Sequence, residues 1–208
     1  QRQMCIRDRY YKKLDNLNPY TVDNVKIRYY GENCAKGYAM GLDVKFFGEF
    51  VPGTDSWISF SLMKAQQTIR ETTTVPMANS QGYNISLFFQ DYFPGYKRVK
   101  LNLKGVLSGG LPQTIPGKGY EAGYFRTPAY KRVDIGLSYQ LAGGTDAIMD
   151  RGFFRHLKNI WLGLDVFNIL DIKNVSSYYW ITDVYNVQYA VPNYLTGRQL
   201  NVRLIVDF

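Results

Sequence analysis

Histidine is almost missing from this sequence and cysteine is scarce: His156 stands alone, and Cys5 and Cys34 are the only thiols. A lone histidine weighs against a His-based metal site and against a Ser-His-Asp triad. Two cysteines at this spacing match no metal or redox motif. His156, within Phe153-Phe154-Arg155-His156-Leu157-Lys158, reads as a solvated turn residue. Long hydrophobic runs are also lacking. No stretch approaches the roughly 18 residues of a transmembrane helix, which excludes helical spans but not strands, because a barrel strand shows lipid only every second side chain. The glycine-rich run Gly105-Val106-Leu107-Ser108-Gly109-Gly110 lacks the lysine and the helix of a phosphate loop and reads as a strand end and turn. The carboxylate pairs Asp43/Glu49 and Asp165/Asp171 need no acid–base role if they line a polar face. No enzyme activity, metal or cofactor is expected.

Charge is present but not concentrated. The 25 Lys and Arg outnumber the 17 Asp and Glu, for a net charge of +8, yet they are spread along the chain, as at Lys26, Arg28, Lys100, Lys104, Arg132 and Arg203. Nucleic-acid binding would gather them into a stripe with stacking aromatics, so no nucleic acid is expected as a partner. A channel lining, or contact with anionic lipid and lipopolysaccharide, accounts for the spread better.

Aromatic residues are abundant: 18 Tyr, 12 Phe and 3 Trp make 16% of the chain. An amphipathic ring suits a membrane–water boundary, although a soluble all-β protein also favours Tyr and Phe in strands. Alternation decides more. In the closing segment Leu200, Val202, Leu204, Val206 and Phe208 fall on one face of a strand, and Gln199, Asn201, Arg203 and Asp207 on the other, with Ile205 out of place. About 11 residues at about 3.3 Å, tilted about 40°, climb roughly 28 Å, the height of a barrel's apolar band.

Read for period two, the chain divides into about nine strands, over 10–17, 20–30, 37–51, 56–69, 83–93, 96–108, 128–141, 158–170 and the closing segment 197–208. Counted back from the last strand, one set of joints comprises 18–19, 52–55, 94–95 and 142–157. The other comprises 31–36, 70–82, 109–127 and 171–195. The first set is mostly tight and the second mostly long, the asymmetry of short periplasmic turns and long extracellular loops. The exceptions are 142–157 and 31–36. Residues 1–9 show no secretory leader and no usable alternation. Their Met4-Cys5-Ile6-Arg7-Asp8-Arg9 resembles a peptide seen when sequencing-adapter DNA is translated, so 1–9 is expected to be non-native or disordered and 10–208 to form one barrel portion.

The late strands resemble a known group. Pro128-Ala129-Tyr130-Lys131-Arg132-Val133-Asp134-Ile135-Gly136-Leu137-Ser138-Tyr139 and Ile160-Trp161-Leu162-Gly163-Leu164-Asp165-Val166-Phe167-Asn168-Ile169-Leu170-Asp171 are similar to the last strands of TonB-dependent outer-membrane receptors. So are Tyr189–Arg198 and the terminal Phe208, and Ala39-Met40-Gly41-Leu42-Asp43-Val44 resembles an earlier strand of that family, with Asp at its acidic position. The resemblance implies an all-β, antiparallel transmembrane barrel of 22 strands, of which this chain supplies about nine C-terminal ones. It implies import of a scarce ligand (siderophore, cobalamin or glycan) driven by the TonB complex through an N-terminal plug that is not in this sequence. The barrel-assembly machinery would read Phe208, with Val206 and Leu204 in the same row. Candidate ligand contacts are Tyr120, Tyr124 and Arg126, beside Phe125, in one long loop, and Tyr178, Tyr179, Trp180, Tyr185 and Tyr189 in the last. Aromatic platforms with nearby cations suit sugars or planar anions, while girdle or loop packing would use the same rings. The alternatives are a diffusion porin and a secreted β-sandwich that binds carbohydrate.

Overall fold

A computed structural model describes residues 3–208 except 24–25, 52–53, 117–118, 120–122, 144–145 and 147–155. The described residues are all-β, and every strand pair is antiparallel. In chain order, β1 (Gln3–Leu17) leads into a hairpin of β2 (Tyr20–Asp23) and β3 (Lys26–Tyr29). Then β4 (Ala35–Val51) and β5 (Thr54–Ile69) pair along their length, and β6 (Thr73–Pro76) folds back on the end of β5. Next come β7 (Tyr83–Phe93) and β8 (Tyr96–Ser108), and a second small hairpin, β9 (Pro112–Thr114) with β10 (Tyr124–Arg126). After β11 (Tyr130–Gly143) and β12 (Asn159–Phe167) a third hairpin, β13 (Val175–Thr182) with β14 (Gln188–Tyr194), precedes β15 (Gln199–Asp207).

The main sheet is a meander in the order β1-β4-β5-β7-β8-β11-β12-β15, with β6 beside the end of β5. β1 and β15 are its outer strands, and it does not close on itself among the described residues. Eight strands therefore run the height of the sheet rather than about nine. The segment 20–30 is not one spanning strand: β2 and β3 fold on each other in a separate sheet. Alternation at Ile27 and Tyr29 is the same whether the segment is one long strand or two short arms; Asp23-Asn24 was the turn signal.

That correction removes one of the two exceptions in the joints. The connection 18–34 is now a single long excursion on the same side as 70–82, 109–129 and 168–198, and the joint at 18–19 belongs to it. The opposite side holds the tight joint at 94–95 together with 52–53, which lies outside the described residues, and 144–158, most of which does. At 94–95 Pro94 presets one φ and Gly95 takes φ +82°, the conformation glycine adopts without steric cost.

Cα partners in a ladder share a face. One face therefore carries continuous apolar rows: Leu101–Leu137–Leu164–Val202, Val99–Tyr139–Leu162–Leu204 and Leu103–Ile135–Val166–Leu200. Across the other half it carries Val44–Phe60–Ile85 and Phe46–Ile58–Leu87. The opposite face carries Lys100–Ser138–Gly163–Arg203 and Asn102–Gly136–Asp165–Asn201. Burial runs opposite to that of a water-soluble protein. Leu137 and Leu164 are 42% and 43% exposed, while Asp134, Ser138 and Asp165 retain 7–8%. The polar face is covered because small residues alternate with long ones: Arg203 lies over Gly163, its Nε 2.8 Å from where a Cβ would stand, and the Asn102 and Asp165 side chains lie over Gly136.

Among the described residues the buried apolar clusters lie at the ends of the sheet. Ala35, Ile69 and Val75 pack with Leu17, Tyr30, Cys34 and Ala78 on the long-loop side, and Ala142 and Leu157 pack with Ile160 and Val206 on the other. Between them, among the described residues, no buried apolar cluster forms on the apolar rows. β1 begins at Gln3, earlier than the strand expected from residue 10, and its register sets Arg7 opposite Val44 and Arg9 opposite Leu42. Its first residues therefore put guanidinium groups into the apolar row.

Candidate functional site

The four long connections form a linked cap. β2 lies against β9. Arg126, on β10, donates from Nη1 to the Ser80 carbonyl at 2.6 Å and to the Gly110 carbonyl at 2.9 Å, joining the 70–82 connection to 109–129. Phe125, its neighbour, meets the Tyr178 and Trp180 rings edge-on at centroid distances of 5.4 and 6.0 Å, joining 109–129 to the β13–β14 hairpin. The base of that hairpin is pinned to the sheet. Asn174 accepts from the Lys131 amide at 2.9 Å and donates to the Lys131 carbonyl at 2.8 Å. The Asn168 amide donates to Asp134 Oδ1 at 2.8 Å, and Asp171 Oδ1 accepts the Arg198 amide at 2.9 Å. Asn168 and Asp171 hold φ +50°, a backbone state that Asn and Asp tolerate better than most residues.

These contacts divide the ligand-contact candidates. Tyr178, Trp180 and Arg126 are engaged in holding the loops to one another. Tyr179 and Tyr189 lie on the other face of the β13–β14 hairpin, where Tyr179 is opposite Val191 and Ile181 opposite Tyr189, and all four are exposed. Tyr185 is exposed at the hairpin tip, where Asp183 Oδ1 accepts the Tyr185 and Val187 amides at 2.9 Å. Tyr124 is exposed on β10. Tyr120 lies outside the described residues. The candidates left without such contacts between loops are thus the exposed tyrosines Tyr124, Tyr179, Tyr185 and Tyr189, with Val191 and Ile181 as the cross-strand partners of Tyr179 and Tyr189.

The polar face of the sheet holds a second group that the sequence reading did not single out. The Lys100 ammonium lies 5.0 Å from the Tyr92 ring centre and 4.6 Å from that of Trp161. The Lys45 ammonium lies 5.1 Å from Trp57 and 5.8 Å from Phe47. Trp57 and Phe88 also sit together, 6.2 Å between centres. The signal was available in the parity of Trp161, which alternates with the apolar residues of β12 instead of joining them. On the same face Arg203 bridges Ser138 Oγ at 3.4 Å and Asp165 Oδ1 at 3.5 Å, and Arg132 Nε meets Asp134 Oδ1 at 2.7 Å. Asp165 and Asp171 are thereby committed to Arg203 and to the Arg198 amide, and do not converge as an acid–base pair.

Outside the strands, the Asp146 carboxylate accepts the Gly143 amide at 2.9 Å and pairs with Arg98. Those contacts, the amide first, hold it below the usual aspartate range. Glu71 is held low in the same way by Lys36. At the end of the sheet Leu204 and Phe208 are exposed, Val206 packs on the Ala142–Leu157 cluster, and the Lys158 amide donates to the Asp207 carbonyl at 2.7 Å. Among the described residues no cluster of His, Cys, Asp and Glu could hold a metal ion, Cys5 and Cys34 are free thiols, and no helix is long and apolar enough to cross a membrane, which says nothing of strands. No protein-family model, no curated protein and no solved structure matches this chain.

Proposed function

We propose that these strands belong to an outer-membrane β-barrel, and that the barrel is a TonB-dependent receptor importing a scarce ligand such as a siderophore, cobalamin or glycan. The observation that carries the membrane part is the reversal of burial: apolar rows left largely exposed among the described residues, and a polar face packed by its own side chains. In water an apolar surface of that extent is a liability; in lipid it is the required one. The connections 18–34, 70–82, 109–129 and 168–198 share one side, opposite the two short joints 52–53 and 94–95 and the longer 144–158, a mostly one-sided pattern that fits the same environment. A β-sandwich would set a second sheet against the apolar rows, and none of the described strands lies there. On this reading the main sheet is part of a 22-stranded barrel, lipid and lipopolysaccharide surround it, the assembly machinery reads Phe208, and TonB acts through the plug. Residues 3–9 are the exception to this reading, since β1 as paired sets Arg7 and Arg9 in the apolar row.

Between a plugged receptor and an open porin, the polar face favours the former. Phe47, Trp57 and Phe88 stand side by side in one row of that face, and a water-filled channel gains nothing from three aromatic side chains in register. A plug packed against them would bury them. The gene upstream tests this directly: a globular domain of roughly one hundred residues or more before the barrel supports the receptor, whereas a leader followed at once by further strands supports the porin.

A further inference from the structure

The apolar face is not uniformly filled. On the long-loop side it opens into a cleft of about 320 Å³, at the small end of the roughly 300–1,000 Å³ typical of ligand sites. Its walls are Ile85, Leu87, Leu107, Val133, Leu170 and Ile172. Its floor is Gly105, which stands between Leu87 and Val133 in the ladder. A Cβ added at Gly105 would meet only the Leu87 Cβ, at 3.8 Å, so the glycine is not required by close packing. What it provides is depth.

The overhanging wall is preformed. Leu170 and Ile172 sit on the turn after β12, which is tied down by the Asn168 amide to Asp134, by the Ile169 amide to the Val133 carbonyl at 2.8 Å, and by the two Asn174 bonds to Lys131. Leu170 remains 62% exposed. At the rim is Lys131, which shares the apolar face with Leu107. Its side chain is exposed and has no ion-pair partner among the described residues. Arg132, the other cation lining the cleft, is engaged by Asp134.

We propose that this cleft is a site for one acyl chain of a lipid A-type glycolipid, with a phosphate of that lipid resting on Lys131. The proposal depends on the membrane reading above, in which the long connections face outward and the outer leaflet meets this end of the sheet. The cleft continues the apolar rows that lipid would cover, and its single free charge has the sign that recognises a phosphate.

The test uses the complete gene product, purified in detergent, stripped of lipid and titrated by native mass spectrometry. Its probes are diphosphoryl lipid A, the same lipid dephosphorylated, and phosphatidylethanolamine. The wild type should prefer diphosphoryl lipid A to both others. Gly105→Leu should weaken lipid A binding by roughly tenfold, corresponding to roughly two methylenes losing their contacts. Gly105→Ala, which the backbone accepts without strain, should weaken it less and in the same direction. Lys131→Gln should abolish the preference for phosphate while leaving the dephosphorylated lipid unaffected. Equal binding by wild type and both Gly105 variants, or phosphatidylethanolamine held as tightly as lipid A, overturns the site. A gene product recovered in the soluble fraction without detergent overturns the membrane reading instead, and the two failures are therefore distinguishable.

Discussion

Leu164→Arg separates a lipid environment from water by magnitude. Leu164 lies near the middle of β12, flanked by Leu137 and Val202 in its row, with further apolar rows on both sides. It is 43% exposed. In water such a site tolerates arginine within about 0.5 kcal/mol. At the middle of a bilayer the same change costs roughly 2–4 kcal/mol, a factor of about thirty or more in the folding equilibrium. The internal control is Asn201→Arg, on the polar face of the neighbouring strand beside Asp165, where a cation gains a carboxylate partner. Both variants would be placed in the complete protein, and stability in vesicles measured by guanidinium unfolding, with outer-membrane yield as the cellular counterpart. Leu164→Arg should lose at least 2 kcal/mol more than Asn201→Arg. Equal stability of the two variants would refute the assignment of this face to lipid.

Three further outcomes follow from the contacts. Phe125→Ala removes two edge-on ring contacts worth about 0.5–1.5 kcal/mol each, and should loosen the β13–β14 hairpin relative to the loop carrying β10, seen as lost hydrogen-exchange protection in both; unchanged protection would mean that the loops are held otherwise. Because Asp146 is depressed, its hold on the Gly143 amide is complete above the ordinary aspartate pKa and fails as pH falls through the folded value, so Gly143 protection, corrected for intrinsic exchange, should stay flat from about pH 7 to 5 and fall only below about 3.9. Arg98→Gln should move that loss upward, and an unmoved profile would remove the arginine from the account. Phe208→Ala in the complete protein should lower outer-membrane abundance more than ligand affinity; normal assembly with weakened binding would contradict its role as an assembly signal.

Much of the sheet was legible from alternation because each long strand has one apolar and one polar face and the turns between them carry strong signals. The expected 83–93 and 96–108 coincide with β7 and β8, and β4, β5, β11, β12 and β15 differ from expectation by a few residues at their ends. The errors fell where alternation is uninformative. Alternation does not separate β2 from β3, because two short arms keep the same period as one strand. β9 with β10, and β13 with β14, escape alternation because three to eight residues amid Gly, Pro and Asn give no sustained period. At the candidate site, sequence supplied the residue types but not their pairing. That Phe125 faces Tyr178 and Trp180, leaving Tyr179 and Tyr189 on the outer face, depends on contacts between loops that only the sheet brings together. Lys131 and Gly105 were invisible as a pair for the same reason: each is unremarkable in its own strand, and only the ladder through Leu107 and Val133 sets them at one cleft.

The measurement that tests the two-faced sheet most directly is a nitroxide scan of 199–207 in the complete protein, reconstituted in bilayers, with Cys5 and Cys34 replaced by serine. Collision rates with oxygen, which concentrates in lipid, and with a water-soluble nickel chelate should alternate with period two. Oxygen should dominate at positions 200, 202 and 204, and the chelate at 201 and 203. A chelate that reaches Leu200, Val202 and Leu204 as readily as Asn201 and Arg203 would show that water, not lipid, covers the apolar face, and the account would fall.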